Sequence, residues 1–178
     1  MEEDKFQLLD DFASQANDEL GRYRVEVILV PDKLTRNDYV LPKLEWKSIV
    51  YGKEDELNQV PDDKRGIYAF TISWLGDVLP PHGYVLYVGI AGRDSWRSLR
   101  ARYKDYLNPK KVCKERQRLA YAFGNWRRVT RFYFAAIDDA VTTDQLKMLE
   151  EQINTALLPR YSTGDVEAET KKMRRAFQ

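Results

Sequence analysis

The chain has 178 residues, 43% hydrophobic and 32% charged, with 29 Lys and Arg against 28 Asp and Glu. That length predicts one domain with a real core, and the near-zero net charge selects no partner. A single cysteine, Cys113, excludes an intrachain disulfide or a cysteine-based zinc site and fits a reducing compartment.

Residues 4–20 place Phe6, Leu9, Phe12 or Ala13, Ala16 and Leu20 on one face of a helix that Gly21 can end. The acidic start, Met1-Glu2-Glu3-Asp4-Lys5, predicts no signal or transit peptide. Residues 24–30 read as a strand stopped by Pro31, and residues 46–51 as a further candidate strand before a charged loop at 52–65. Residues 66–74 form a clear strand. Residues 75–83 hold Gly-Asp and Pro-Pro and must turn. Residues 84–91 return as the second strand of an antiparallel hairpin. Ser95 is the expected cap of a helix to about Leu107, ended by Asn108-Pro109. Residues 114–126 read as a helix and 129–137 as a third strand. Thr142 or Thr143 caps a final long helix closed by Pro159. The expected fold is α+β, a small, mainly antiparallel three-stranded sheet in the order β-β-α-α-β-α, covered on both faces. Residues 1–64 are expected to be an acidic elaboration packed on a core at 65–163, with 164–178 a helical tail. No run approaches the ~18–20 apolar residues of a membrane span. The expectation is a cytoplasmic protein with no membrane partner.

Charge is unevenly placed. Residues 1–64 carry 9 Lys/Arg and 16 Asp/Glu, whereas residues 93–132 carry 13 and 3. The basic block is a candidate polyanion footprint; the alternative is a solvated helical face. The one histidine, His82, lies in Pro-Pro-His-Gly and reads as a turn residue, so a Ser-His-Asp triad or a His-rich metal site is not expected. There is no Walker loop, and Gly89-x-x-Gly92 is too short for a dinucleotide fingerprint.

Tyrosine, arginine and carboxylate chemistry remains. On the final helix the apolar stripe is Leu146, Leu149, Ile153 and Leu157. Glu150 falls at its edge and Glu151 points away. An inward Glu150 needs a cationic side chain or a metal ion. On the helix after the hairpin, Trp96, Leu99, Tyr103, Tyr106 and Leu107 form the apolar side. Arg97 lies opposite, and Arg100 and Arg102 flank the stripe, with nothing in the wheel to choose between them. Either could clamp a phosphate with its planar fork of donors.

Gly66-Ile67-Tyr68 on one strand, Tyr87-Val88-Gly89 on the next, a helical arginine and a later helical glutamate resemble the GIY-YIG nucleases. The resemblance covers about residues 65–163. It selects Arg102, which Tyr106 follows by four residues, and pairs Glu150 with Pro159-Arg160-Tyr161-Ser162. Ser162 stands where the family usually has asparagine, and Ile90 where excision-repair members often have lysine. The resemblance implies an endonuclease that hydrolyses DNA phosphodiesters, of compact restriction, defence or repair type. Glu150 would hold a divalent metal, Mg2+ with Mn2+ as the alternative. Tyr68 would orient or deprotonate the attacking water, and Arg102 would stabilise the phosphate. Tyr87 and Tyr106 would pack and hydrogen-bond around the site, with Gly66 and Gly89 framing it. Lys110, Lys111, Lys114, Arg116, Arg118, Arg127, Arg128 and Arg131 would grip the nucleic-acid backbone. Tyr121 and Trp126, interleaved with them, either stack on bases or pack in the core. Two alternatives are an inactive nucleic-acid-binding protein of the same fold and an interaction module. In the latter, the acidic N-terminal part binds a protein partner or a second copy of the chain.

Overall fold

The computed structural model describes residues 19, 21–41, 43–75, 79–80, 82–93, 96–162 and 164–176. The helix expected at 4–20 lies outside these, apart from Glu19. So does Ser95.

The centre is a four-stranded antiparallel sheet in the order β1-β4-β2-β3, formed by β1 (Lys47–Val50), β2 (Gly66–Trp74), β3 (His82–Ala91) and β4 (Thr130–Ala136). One strand more than the expected three is present, because Lys47–Val50 adds to the free edge of β4 with Ile49 opposite Phe132. The hairpin registers Tyr68 against Gly89 and Phe70 against Tyr87, with a bulge between Phe70 and Thr71. Directly opposed residues share a face. Tyr68, Phe70, Tyr87 and Gly89 therefore all look the same way.

That face is covered by three short helices, α2 (Leu99–Tyr106), α3 (Pro109–Glu115) and α4 (Gln117–Trp126). Its core is aromatic: Tyr68, Phe70, Tyr103, Tyr106, Phe123, Phe132 and Phe134 pack together. The other face carries Ile67, Ala69, Ile90 and Ala135, covered by Leu146 and Leu149 of α5 (Thr143–Leu157). Burial on both sides accounts for the near-continuous apolar runs of β2 and β3. A four-residue helix, α1 (Pro31–Leu34), lies against α5, and α6 (Ala168–Ala176) follows it.

Three expectations need correction, and a fourth, at Asn108-Pro109, holds and gains a second role. Residues 24–30 form no strand; Val30 donates one backbone bond to Ala156 of α5, and Val25 packs near Leu86 and Trp126. The cap of α2 is Ser98, whose side chain accepts from the Ala101 amide, and Trp96 lies before the helix, 83% exposed. Asn108-Pro109 does not merely end α2: Asn108 caps α3 and Pro109 occupies its first turn, where a missing N–H costs nothing. The helix read at 114–126 is two helices, broken at Arg116, whose φ of −143° and ψ of 53° are not helical.

Candidate functional site

Four of the predicted side chains converge where β2, β3 and α2 meet. The Tyr68 and Tyr106 hydroxyls share a hydrogen bond of 2.7 Å, and Arg102 Nε donates to the Tyr68 hydroxyl at 3.1 Å. The Tyr87 ring lies 6.2 Å from that of Tyr68 and 6.5 Å from that of Tyr106. The spacing of α2 makes this work: Arg102 and Tyr106 are one turn apart on the side facing the sheet. Of the two flanking arginines, Arg102 is the one that reaches the tyrosines. Arg100 bonds the Val60 and Asn58 carbonyls and Asp62, tying down the loop before β2. Arg97 pairs with Asp105.

Both motif glycines have steric reasons. A Cβ on Gly66 would collide with the Ala135 carbonyl of the neighbouring strand. One on Gly89 would lie 2.6 Å from the Tyr68 hydroxyl oxygen. Gly89 thus makes the room in which that hydroxyl meets Tyr106.

Tyr68 and Tyr106 are both fully enclosed. Burial, with the neighbouring tyrosines, pushes the Tyr68 phenol well above its ordinary range, and the Arg102 charge only partly opposes this. A free tyrosine is only about one part in a thousand phenolate at neutral pH; Tyr68 is less. The arrangement favours a protonated Tyr68 that orients its neighbours over one that removes protons.

Glu150, on the middle of α5, is 3% exposed, whereas Glu151 is half-buried. Its Oε2 lies 3.6 Å from Arg93 Nη2 and has no hydrogen-bond partner among the described residues. Burial first, then the charge of Asp165, raises the Glu150 carboxyl to about 7, with Arg93 and Arg102 acting the other way. A buried carboxylate oxygen without a donor suits a hard cation. Among the described residues no group of three or more His, Cys, Asp or Glu side chains converges. One carboxylate with the rest of the shell left to water is the pattern Mg2+ tolerates, so the residues present fit that ion.

Ser162 is buried and bridges the β3 edge: its hydroxyl accepts from the Val88 amide at 2.9 Å and donates to the Val88 carbonyl at 3.2 Å. Its hydroxyl thereby acts as a surrogate strand partner inside the second motif.

The eight backbone-gripping candidates separate. Lys110, Lys114, Arg118, Arg127 and Arg128 are exposed. Lys111 is paired with Asp105 at 2.9 Å, and Arg131 is held on Ser48 by three hydrogen bonds. Arg116 turns inward, with Nη1 3.5 Å from the Tyr87 hydroxyl and its guanidinium 5.1 Å from the Tyr106 ring centre. Lys114, Arg116 and Arg118 line a cleft of about 470 Å³ with Tyr87 and Tyr161. Trp126 is buried in the core, while Tyr121 is exposed and donates to the Arg22 carbonyl. His82 opens β3 and is exposed, its ring 2.9 Å from the Pro80 carbonyl. Sequence reasoning missed the inward placement of Arg116 and the roles of Arg93 and Asp165 beside Glu150; no motif or periodicity marks any of them.

A larger cavity, about 630 Å³, lies on the opposite face of the sheet, with apolar walls from Trp46, Val85 and Ile153. None of the predicted site residues lines it. No helix among the described residues is long and apolar enough to cross a membrane. No known family model, curated protein or solved structure matches the chain.

Proposed function

We propose that this protein is a metal-dependent endonuclease of GIY-YIG type that hydrolyses phosphodiester bonds in DNA. One observation carries the reading: a hydrogen-bonded Tyr68–Tyr106–Arg102 cluster shares its arginine's field with Glu150, a buried carboxylate whose Oε2 accepts no hydrogen bond among the described residues and has Arg93 at 3.6 Å. Structural tyrosines and ion pairs have no need of that combination.

In this reading Arg102 is the phosphate ligand. Its side chain is 24% exposed and covers the Tyr68 hydroxyl. A phosphate that draws the guanidinium outward frees that hydroxyl to hold the attacking water by a hydrogen bond. Tyr106, bonded to the same oxygen, keeps the phenol in place. Tyr87, half-buried, borders the cleft where the backbone would lie. Glu150 would hold the cation, which when bound supplies charge neutralisation at the phosphoryl oxygens. Lys114 and Arg118 bring positive charge to the cleft, with Lys110 one turn before Lys114 on α3, and position the strand without reading sequence.

The test is cleavage of duplex DNA, with RNA in parallel, in Mg2+ or Mn2+. Glu150→Ala and Arg102→Ala are expected to lose about 100-fold or more in rate, the scale for removing a charge-stabilising group. Equal cleavage by wild type and Glu150→Ala would remove Glu150 from the site. A second reading has a specific observation behind it: Tyr68 is wholly enclosed, and the Ser162 hydroxyl is engaged by Val88. An inactive nucleic-acid-binding protein would bind the same duplex and leave it intact in every metal.

A further inference from the structure

Two arginines reach one tyrosine ring from different segments. The Arg102 guanidinium lies 5.7 Å from the Tyr106 ring centre and that of Arg116 lies 5.1 Å from it. Arg102 comes from α2 and Arg116 from the break between α3 and α4. Both positive charges thus sit against one ring, and that of Arg102 bears on Arg116. Partly buried like charges are costly without a counter-charge.

Protein carboxylates supply too little of one. Among the described residues Arg102 has one in ion-pair range, Asp105, at 3.8 Å. Asp105 already pairs with Arg97 at 2.7 Å and Lys111 at 2.9 Å. Arg116 meets the Tyr87 hydroxyl and the Tyr106 ring, and no carboxylate among the described residues. Glu115 lies on the same cleft wall but forms no ion pair with Arg116. Three cations, Arg97, Arg102 and Lys111, thus share the carboxylate of Asp105, and Arg116 beside them has an aromatic ring and a phenol for partners. The break at Arg116 serves the same end. There the backbone is non-helical, with φ −143° and ψ 53°, and the side chain reaches Tyr87 and Tyr106.

We infer that Arg116 is a second phosphate-clamping residue: Arg102 and Arg116 together hold phosphoryl oxygens of the nucleic-acid backbone over the Tyr106–Tyr87 edge. The planar guanidinium fork suits that oxyanion, and the missing counter-charge is what the ligand supplies. That the oxyanion belongs to a nucleic acid rests on the nuclease reading; that an oxyanion is needed rests on charge and geometry alone.

The experiment has two arms at fixed salt. In the first, inorganic phosphate is titrated calorimetrically into metal-free protein. Arg116→Met keeps an apolar stem over Tyr106 and is expected to weaken phosphate at least tenfold, while Lys104→Ala, the same charge lost from an exposed position on α2, changes it less than twofold. Near-UV circular dichroism checks that the aromatic packing survives. Should Arg116→Met disturb it, Arg116→Lys carries the test, with an expected loss of threefold or more from the missing fork. Equal losses in the Arg116 and Lys104 variants, or no phosphate binding by wild type, overturn the clamp. In the second arm, duplex DNA cleavage is followed in Mg2+. A wild type that binds phosphate through Arg116 yet cleaves nothing sinks the nuclease reading and leaves the clamp standing. A cleaving wild type matched in rate by Arg116→Met sinks the clamp and leaves the nuclease reading standing.

Discussion

A methyl group added at Gly89 would sit 2.6 Å from the Tyr68 hydroxyl oxygen and 2.9 Å from Cε1 of Tyr87. The Tyr68 ring is fully enclosed, so Gly89→Ala is expected to cost about 1–3 kcal/mol, as overpacking does, measured by urea denaturation. Glu150 sets a pH dependence. Its folded carboxyl stands at about 7 against an ordinary 4.5. Below pH 4.5 both folded and unfolded chains are protonated and stability is intact. Between pH 4.5 and 7 the unfolded chain releases the proton that the buried acid still holds, so about 3 kcal/mol is lost across that window and the loss is complete above pH 7. Glu150→Gln is therefore expected to raise the melting temperature at pH 8 and to leave it nearly unchanged at pH 4. A cation that takes up the ionised carboxylate reverses the trend, so Mg2+ should stabilise wild type more at pH 8 than at pH 6 and not stabilise Glu150→Gln. A calorimetric melt with and without Mg2+ reads both. The family resemblance picked out Tyr68 and Arg102, and the apolar stripe of its helix turned Glu150 inward. Arg116 was legible only as one cation among many, because what turns it inward is a helix break that no glycine or proline marks.

Two elements hold the site together from its edges. α5 begins with a capping box in which Thr142 accepts from the Gln145 amide and the Gln145 side chain accepts from that of Thr142. Thr142→Ala is expected to cost about 1 kcal/mol and to loosen the helix that carries Glu150. At the other end, the segment after α5 lies along the exposed edge of β3, where Tyr161 donates to the Leu86 carbonyl and Ser162 bridges Val88. Ser162→Ala would strand a buried amide, a loss of about 1–3 kcal/mol, and hydrogen exchange at Val88 should quicken more than at Ala69. Element prediction worked where one period dominated. β2 is recovered at its full length because Gly66 and the apolar run after it are unambiguous. It failed for α2, where Trp96 reads as part of the apolar stripe but lies outside the helix and in solvent.

For the whole molecule, the basic block concentrated at residues 93–132 predicts salt-dependent binding. With Arg102, Arg116, Lys110, Lys114 and Arg118 each neutralising a phosphate, log K for duplex DNA should fall against log salt with a slope of about −4 to −5; a flat response in a fluorescence-anisotropy titration would sink the electrostatic grip. Arg127 and Arg128 lie beyond the far end of α4, about 15 Å of helix from Arg118, so they act on a different stretch of backbone from the cleft. By itself the sequence determined the α+β class, the hairpin with its two motif tyrosines, the helix bearing Glu150 and the uneven charge, because these follow from local periodicity, turn residues and composition. Tertiary structure alone decided that β1 pairs with β4, that Ser162 serves the β3 edge, that Asp105 is shared among several cations and that Arg116 joins Arg102 at Tyr106. Each of those depends on which side chains long-range packing brings within a few ångströms, and neither period nor propensity encodes that distance.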